Sequence, residues 1–217
     1  MKQLLTFALA ASALTPVSAW AEAGDFLVRA RAIYVAPTES AGPVLPSFPD
    51  GSVSVDNAIM PELDFTYMIT DNIGAELILA TTNHDISGEM ALESLGEIAD
   101  TWVLPPTLTL QYHFLPDNNI RPYVGAGINW TIFYSEGTTD SLTNALPGTT
   151  IDLENSFGWS AQVGVDIDIT ERYFFNVDVK FVDINTTANL TTPGVGVNSV
   201  DVDLDPIIVG VGFGLRF

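Results

Sequence analysis

The stretch I-I-V-G-V-G-F-G-L-R-F, residues 207–217, decides the fold of this chain. Every second residue is apolar, and after Ile208 the residues between them are glycine or arginine. Because successive side chains of a strand point to opposite faces, a period of two predicts a β-strand with one apolar face. The edge strand of a soluble sheet is normally protected by charge or proline. An uninterrupted apolar face that ends on Phe217 instead indicates a barrel whose outer wall contacts lipid.

Seven upstream segments alternate in the same way, and their connections differ in length. The segments are residues 26–35, 62–69, 74–82, 107–114, 123–133, 157–169 and 174–181. Short turns at residues 70–72, 116–119 and 170–172 alternate with long polar connections near residues 38–57, 84–101, 135–152 and 185–199. This asymmetry predicts an all-β fold, an eight-stranded antiparallel transmembrane β-barrel with short periplasmic turns and long extracellular loops. Both termini then lie on the periplasmic side.

A soluble eight-stranded barrel, such as a lipocalin, is the alternative fold. Its apolar faces would point inward and its charged faces would meet water. The second faces here are rich in glycine and serine and carry charges of both signs, which suits a narrow interior better. Aromatic residues such as Trp130 and Phe217 lie near strand ends, where interfacial girdles belong. These features favour the membrane barrel.

The first residues predict export. Lys2 is followed by a mostly apolar run and by small residues around Ala19 and Ala21, which is typical of a signal peptide spanning residues 1–21. Residues 22–217 would form the barrel domain in the outer membrane of a Gram-negative cell. The chain has no cysteine, which excludes a disulfide scaffold. Its net charge of −20 argues against nucleic acid as a partner, because phosphate contacts need Lys and Arg.

Charged residues on the inward faces predict a lumen crossed by ion pairs. The phase of the strands places these side chains inward: Arg29, Arg31, Lys180, Arg216, Glu62, Asp64, Glu76, Asp166, Asp168 and Asp178. Buried charges are stable only when paired and hydrogen-bonded. Most of the remaining carboxylates lie in the long connections, and none of these has the ligand spacing of a calcium loop. We therefore expect neither a metal site nor a cofactor.

No catalytic motif accompanies the two histidines. His84 lies at the edge of a long connection and His113 on an inward face near a turn. Neither a nucleophile elbow nor metal-ligand spacing is present, so we expect a protein without enzymatic activity.

Several strings resemble the OmpW family. They are T-Y-M-I-T-D-N-I-G-A-E-L (66–77), L-P-P-T-L (104–108), R-P-Y-V-G-A-G-I-N-W (121–130), Q-V-G-V-D (162–166) and D-I-N-T-T-A-N (183–189), and the likeness covers the mature chain. The resemblance implies an eight-stranded outer-membrane barrel with a narrow, partly apolar channel for small hydrophobic compounds. It also implies a constriction made by apolar inward side chains, at positions that match Ile78 and Lys180. Lysine departs from the apolar pattern, so a purely hydrophobic constriction is in doubt.

The expected lining of the channel combines this resemblance with the phase of the strands. It consists of Arg29, Arg31, Glu76, Ile78, Gln111, Asp166, Asp178 and Lys180. Lys180 is expected either to pair with Asp178, Glu76 or Asp166 or to make the constriction prefer anionic or polar solutes.

Pro105 and Pro106 suggest an opening in the barrel wall. Proline cannot donate to a strand ladder, so two consecutive prolines at the top of the fourth strand would weaken it locally. A lateral exit there would release an apolar solute into lipid. The alternative is that the strand simply begins after Pro106.

Two functions remain open at this point. One is a channel for small hydrophobic or amphipathic molecules, and the other is a structural barrel with a plugged lumen whose loops bind partners. Expected partners are outer-membrane lipid and lipopolysaccharide, small apolar solutes, and the barrel assembly machinery. The assembly machinery would recognise Phe213, Leu215 and Phe217 on the outer face of the last strand. The sequence sets no oligomeric state.

Overall fold

The computed structural model describes residues 22–217 of the chain. The predicted signal peptide, residues 1–21, lies outside this part. Within it, no helix is both long enough and apolar enough to cross a membrane.

Residues 22–217 fold almost entirely into β-strands. In chain order these are β1 (Phe26–Ala36), β2 (Ser40–Ala41), β3 (Gly51–Val55), β4 (Ala58–Met68), β5 (Ile73–Ala80), β6 (Thr82–Met90), β7 (Glu97–Leu104), β8 (Thr107–His113), β9 (Ile120–Thr138), β10 (Thr150–Leu153), β11 (Ser156–Asp168), β12 (Tyr173–Val182), β13 (Asn185–Thr192), β14 (Gly196–Asp203) and β15 (Ile207–Arg216). A 3₁₀ turn (Glu93–Leu95) and the short helix α1 (Asp140–Ala145) complete the elements.

Eight of these strands close an antiparallel barrel, which confirms the predicted fold. Neighbours around the barrel run in the order β1, β4, β5, β8, β9, β11, β12 and β15, and β15 returns to pair with β1. At the seam, the backbones of Phe26 and Phe217 exchange two hydrogen bonds of 3.1 and 3.0 Å. The three short connections lie at this end of the barrel, between β4 and β5, β8 and β9, and β11 and β12.

The strand faces follow the alternation of the sequence. Inward positions on β1 such as Arg29 and Ile33 are buried, while outward Tyr34 is exposed. The closing strand repeats this arrangement, with Phe213 61% exposed on the outer face and Gly212 and Gly214 buried on the inner face. Gly212 permits close approach of β1, because a Cβ there would lie 2.1 Å from the carbonyl oxygen of Ala30.

Four long segments form a second structural layer at the other end of the barrel, which we call the cap. It comprises residues 37–57, 81–106, 133–155 and 183–206. The predicted long connections also contain strands and buried apolar side chains, which their polar composition did not indicate. Val44, Ile98, Leu142 and Val200 belong to one continuous apolar core there. Strands β13 and β14 pair as a hairpin, and β3, β6 and β7 form a further set of paired strands.

Several barrel strands run further into the cap than predicted. β4 begins at Ala58 rather than at residue 62, and β9 extends to Thr138 rather than ending at residue 133. The extended part of β9 pairs with β7, which supplies the ladder hydrogen bonds that the polar sequence around Ser135 did not suggest.

Candidate functional site

The interior of the barrel below Lys180, which we call the lumen, is built around Arg29. Its Nη1 donates to Asp64 Oδ1 at 2.9 Å and to Thr66 Oγ1 at 2.8 Å, and its Nη2 donates to Asp166 Oδ2 at 2.9 Å. Arg29 and Asp64 are direct cross-strand partners on β1 and β4, so the register of these strands brings them together. The guanidinium also lies 5.4 Å from the centre of the Tyr123 ring.

A second layer of ion pairs lies above Arg29. Arg31 Nη2 is 2.7 Å from Glu62 Oε1 and 2.8 Å from Asp64 Oδ2. Lys180 Nζ is 2.8 Å from Glu62 Oε1 and 3.2 Å from Asp178 Oδ1. All of these side chains are buried, so the charges are held by one another rather than by water.

Two aromatic rings fill the space that inward glycines leave. A Cβ on Gly164 would lie 2.4 Å from the Tyr123 ring, and one on Gly214 would lie 2.1 Å from the Phe174 ring. Tyr123 also donates its hydroxyl to Asp178 Oδ2 at 2.9 Å. The glycines of the inner face therefore accommodate rings and leave no open passage beside them.

The periplasmic end of the lumen is closed by a third set of charges. Arg121 bonds to one oxygen of Asp168, and Arg216 Nη2 lies 3.1 Å from the other. Five of the six Lys and Arg side chains in residues 22–217 are thus buried inside the barrel, and Arg172 in a short turn is exposed.

The other residues predicted to line the channel are also buried in the lumen. Glu76 Oε2 accepts a hydrogen bond of 2.7 Å from Gln162, and Gln111 Oε1 lies 3.0 Å from His113 Nε2. The alternation of the strands therefore located all of these side chains inside the barrel. They form a packed network across the lumen rather than the wall of an open pore.

Of the three carboxylates expected to pair with Lys180, one does so in the structure. Asp178 forms an ion pair with it, whereas Glu76 and Asp166 form no ion pair with Lys180 within 4.0 Å. Glu62 is its nearest carboxylate. Glu62 was recognised as inward-facing, but sequence phase alone gives no distance across the lumen.

Above Lys180 and inside the cap lies an apolar cavity of about 80 Å³. Its floor is formed by Glu62, Ile78, Thr107 and Lys180, and its walls are almost entirely aliphatic. Wall residues come from the barrel and the cap alike and include Ile33, Val53, Ile86, Val103, Phe133, Leu190, Val200 and Ile208. The two positions that the resemblance singled out, Ile78 on β5 and Lys180 on β12, therefore both lie at the boundary between a filled lumen and an empty space, on opposite walls of the barrel.

A few polar side chains interrupt the apolar walls. They are Thr82, His84, Thr101 and Thr186. The sequence places His84 at the edge of a polar connection and does not reveal the cavity. The residues that enclose the cavity come from segments far apart in the chain. The alternation D-V-D-L-D, residues 201–205, is one signal that could have identified a strand of its wall.

Pro105 and Pro106 lie at a break in the strand ladder beside this cavity. β5 pairs with β8 as far as Ile78 and Thr107, and β6 pairs with β7 from Thr82 and Val103 onward. Residues 79–81 and 104–106 face each other between these two ladders without pairing, although the register is the same on both sides. Pro105 is itself a lining residue of the cavity, so the break and the cavity adjoin.

The remaining predicted site residues lie at the outer face of the seam. Phe213 and Phe217 are exposed and Leu215 is half-buried. In residues 22–217, no group of three or more His, Asp or Glu side chains could hold a metal ion.

The fold and the site define a class of protein: an eight-stranded barrel with a lipid-facing apolar wall, a charged and filled lumen, and an apolar cavity under an extracellular cap. The OmpW family model matches residues 22–217. The chain belongs to the OmpW family, and it is a β-barrel protein of the Gram-negative outer membrane.

Individual proteins agree with this assignment. Outer membrane protein W of Escherichia coli is 42% identical over 219 residues, which is 100% of both chains. The crystal structure of the outer membrane protein OprG from Pseudomonas aeruginosa superposes with a TM-score of 0.86 at 32% identity, covering 92% of this chain and 98% of OprG. A more distant relative, the dibenzothiophene metabolism operon protein PahQ of Pseudomonas aeruginosa, is 27% identical over 203 residues, 91% of each chain.

Proposed function

We propose that the chain is a channel that carries small hydrophobic or amphipathic molecules from the cell exterior into the outer membrane. The solute enters the cap, occupies the apolar cavity and leaves through the wall at Pro105 and Pro106. The function is passive transport without a catalysed reaction. The observation that carries it is the position of the cavity, directly above a filled lumen and directly beside a break in the ladder.

The lumen supports an exit through the wall rather than through the periplasmic end. A solute that crossed the lumen would have to separate Arg29 and Arg31 from their carboxylates, and breaking a buried pair costs about 3–5 kcal/mol. The break at residues 104–106 needs no such step, because Pro105, whose backbone edge faces residues 79–81, has no N–H to donate there. The route to lipid is therefore the easier one for an apolar molecule.

A relative supports the class of solute. PahQ takes its name from an operon for the metabolism of dibenzothiophene, an apolar aromatic compound. An aliphatic cavity stabilises apolar surface by about 25 cal/mol per Å² removed from water. A small hydrophobic solute is thus the kind of molecule that this cavity would hold.

Replacement of both Pro105 and Pro106 by valine tests the lateral exit. The rise in fluorescence of N-phenylnaphthylamine, which is bright only in lipid, is measured in intact Gram-negative cells that lack their own family member. We expect the wild-type chain to speed this rise several-fold and the double variant to slow it, since valine restores a donor at residue 105 toward residues 79–81 and one at residue 106 toward β9. Pro116→Val, at a periplasmic turn, is the matched control and should behave as the wild type.

Two outcomes distinguish the alternatives. An unchanged rate in a normally inserted double variant would reject the lateral exit. A rate no higher with the wild-type chain than without it would reject the channel and favour the second candidate function, a structural barrel whose cap binds partners. The filled lumen is the observation that favours this second candidate function.

A further inference from the structure

Two threonine hydroxyls along the cavity already donate their hydrogens within the protein. The Thr107 hydroxyl donates to the carbonyl oxygen of Pro105 at 3.0 Å, and the Thr186 hydroxyl donates to that of Glu154 at 2.7 Å. A hydroxyl has one hydrogen and two lone pairs. With the hydrogens used within the protein, these two oxygens can only accept a hydrogen bond from a ligand.

His84 has the same character. Its Nδ1 lies 3.0 Å from the carbonyl oxygen of Asp56, which can only accept, so the network assigns the ring hydrogen to Nδ1 and leaves a lone pair on Nε2. Burial, the largest cause, lowers the pKa of His84 although Asp85 and Asp56 lie nearby, and the ring is therefore neutral at pH 7. The cavity wall thus presents an acceptor at the position of this ring.

The one cation at the floor is not available to an anion. Lys180 Nζ donates to both oxygens of Glu62, at 2.8 and 3.0 Å, and Asp178 lies 3.2 Å away. A ligand carboxylate would have to displace one of these carboxylates and would face the other. Such an arrangement of like charges in a dry site is unfavourable.

The cap repels anions before they reach the cavity. Its four segments contain no Lys or Arg and carry sixteen carboxylates, none of them buried. They are Glu39, Asp50, Asp56, Asp85, Glu89, Glu93, Glu97, Asp100, Glu136, Asp140, Asp152, Glu154, Asp183, Asp201, Asp203 and Asp205. A surface of one sign lowers the local concentration of solutes of the same sign.

We propose that the cavity selects uncharged amphiphiles whose polar group donates a hydrogen bond, such as alcohols and phenols, and excludes carboxylates. The inference rests on the proposed transport function and names its substrate class. The apolar part of the solute packs against the aliphatic walls, and its hydroxyl donates to His84 Nε2 or to a threonine oxygen. An ether of the same length has no hydrogen to donate, so the acceptors stay unpaired in its complex.

Three probes of equal chain length test this selection: 1-octanol, its ether analogue 1-methoxyheptane, and sodium octanoate. Their binding is followed by chemical-shift changes of isoleucine and valine methyl groups, with the protein in lipid nanodiscs at pH 7.5. We expect octanol to bind roughly three- to tenfold more tightly than the ether, the range that one net hydrogen bond supplies. Octanoate should cause no saturable shifts at the cavity. The entry rate of each probe into cells gives a second readout.

His84→Phe removes the ring acceptor and keeps a ring, and it should reduce the preference for octanol over the ether. His84→Gln keeps an acceptor oxygen and should restore part of it. Asn83→Ala, on the opposite face of the same strand, is the matched control. Should His84→Phe fail to insert, Thr101→Val carries the test, since it removes a hydroxyl from the facing strand without changing the volume.

The outcomes separate the inference from the function on which it rests. Equal binding of octanol and the ether, or saturable binding of octanoate, overturns the selection while uptake of apolar probes still supports a channel. A preference for octanol that is undiminished in both His84→Phe and Thr101→Val also overturns it. Failure of every probe to enter faster than in cells without the chain contradicts the channel itself.

Discussion

The lumen below Lys180 and the cavity above it share the walls of one barrel, yet opposite chemistry lines them. In the lumen, Arg29 and Arg31 are held by carboxylates at 2.7–2.9 Å and the remaining space is filled by rings. Above the floor the walls are aliphatic and enclose about 80 Å³. Paired charges and rings packed on inward glycines thus close one part of a barrel, while apolar residues from distant segments leave another part open.

The two regions also differ in how they tolerate a break in the strand ladder. Around the lumen every barrel strand pairs with both neighbours, and the buried charges have a complete wall around them. Beside the cavity the ladder is interrupted at residues 79–81 and 104–106. An apolar interior can adjoin lipid through such a break, whereas buried charges exposed to hydrocarbon would be strongly destabilised.

Both regions depend on a closed barrel, so a change at the seam between β15 and β1 should have the largest effect on the protein. We propose that the assembly machinery recognises the outer face of β15. Deletion of Phe217 should then abolish most of the insertion of the protein into the outer membrane. It also removes two backbone hydrogen bonds to Phe26. Arg216→Ala should have a much smaller effect, because Asp168 keeps Arg121 as a partner. Membrane yield and heat-dependent gel mobility measure both, and equal yields of the two variants would refute the assignment.

A smaller effect separates the energetics of the two regions. Arg29→Met leaves Asp166 without its cationic partner and Asp64 with Arg31 alone, and we expect a loss of about 3–5 kcal/mol in the free energy of unfolding. Ile86→Val, at the cavity wall, should cost about 0.5–1.5 kcal/mol. Urea unfolding in lipid vesicles, followed by tryptophan fluorescence, gives both values. Similar losses in the free energy of unfolding would show that the lumen network contributes no more to stability than the cap core.

The smallest expected change in stability comes from replacing one carboxyl group of the acidic cap. Burial, the largest cause, raises the pKa of the Glu39 carboxyl; the N–H of Val55 opposes this, and Glu89 and Asp56 raise it further. A carboxyl that holds its proton more tightly when folded stabilises the cap at low pH and loses that contribution as pH rises through the shifted pKa. Glu39→Gln should therefore stabilise the protein at pH 7 by roughly a few tenths of a kcal/mol, since the group is only half-buried and solvent screens its charge.

The difference between this variant and the wild type should vanish near pH 4. Glu93→Gln, at an exposed position elsewhere in the cap, is the control for removal of a charge alone. Melting temperatures at pH 4 and pH 7 measure the effect. A Glu39→Gln variant less stable than the wild type at pH 7 would contradict it.

The barrel could be predicted from the sequence because its signal is local. Alternation on one strand, as in residues 207–217, places each side chain inside or outside without knowledge of any other strand. The same rule located Arg29, Glu76 and Lys180 in the lumen. It could not give the pairing of Lys180 with Glu62, since residues 118 positions apart in the chain meet only when the barrel closes.

The cap could not be predicted because its apolar residues are scattered. Leu142 lies alone between polar residues, and Val44 and Ile98 lie in two-residue apolar pairs with Leu45 and Ala99, so that each segment resembles a loop. They become a core only when four segments meet. His84 was missed for the same reason, since its neighbours in sequence are polar while its neighbours in space form the cavity.

The burial of nearly all basic residues has a consequence for digestion. Trypsin cleaves after Lys and Arg, and in residues 22–217 these are Arg29, Arg31, Arg121, Arg172, Lys180 and Arg216. Five of them are enclosed in the barrel, and Arg172 is exposed in a turn on the periplasmic side. The surface that this part of the chain presents to the cell's surroundings therefore offers no bond to a protease of that specificity, and intact cells should keep the protein whole in its presence.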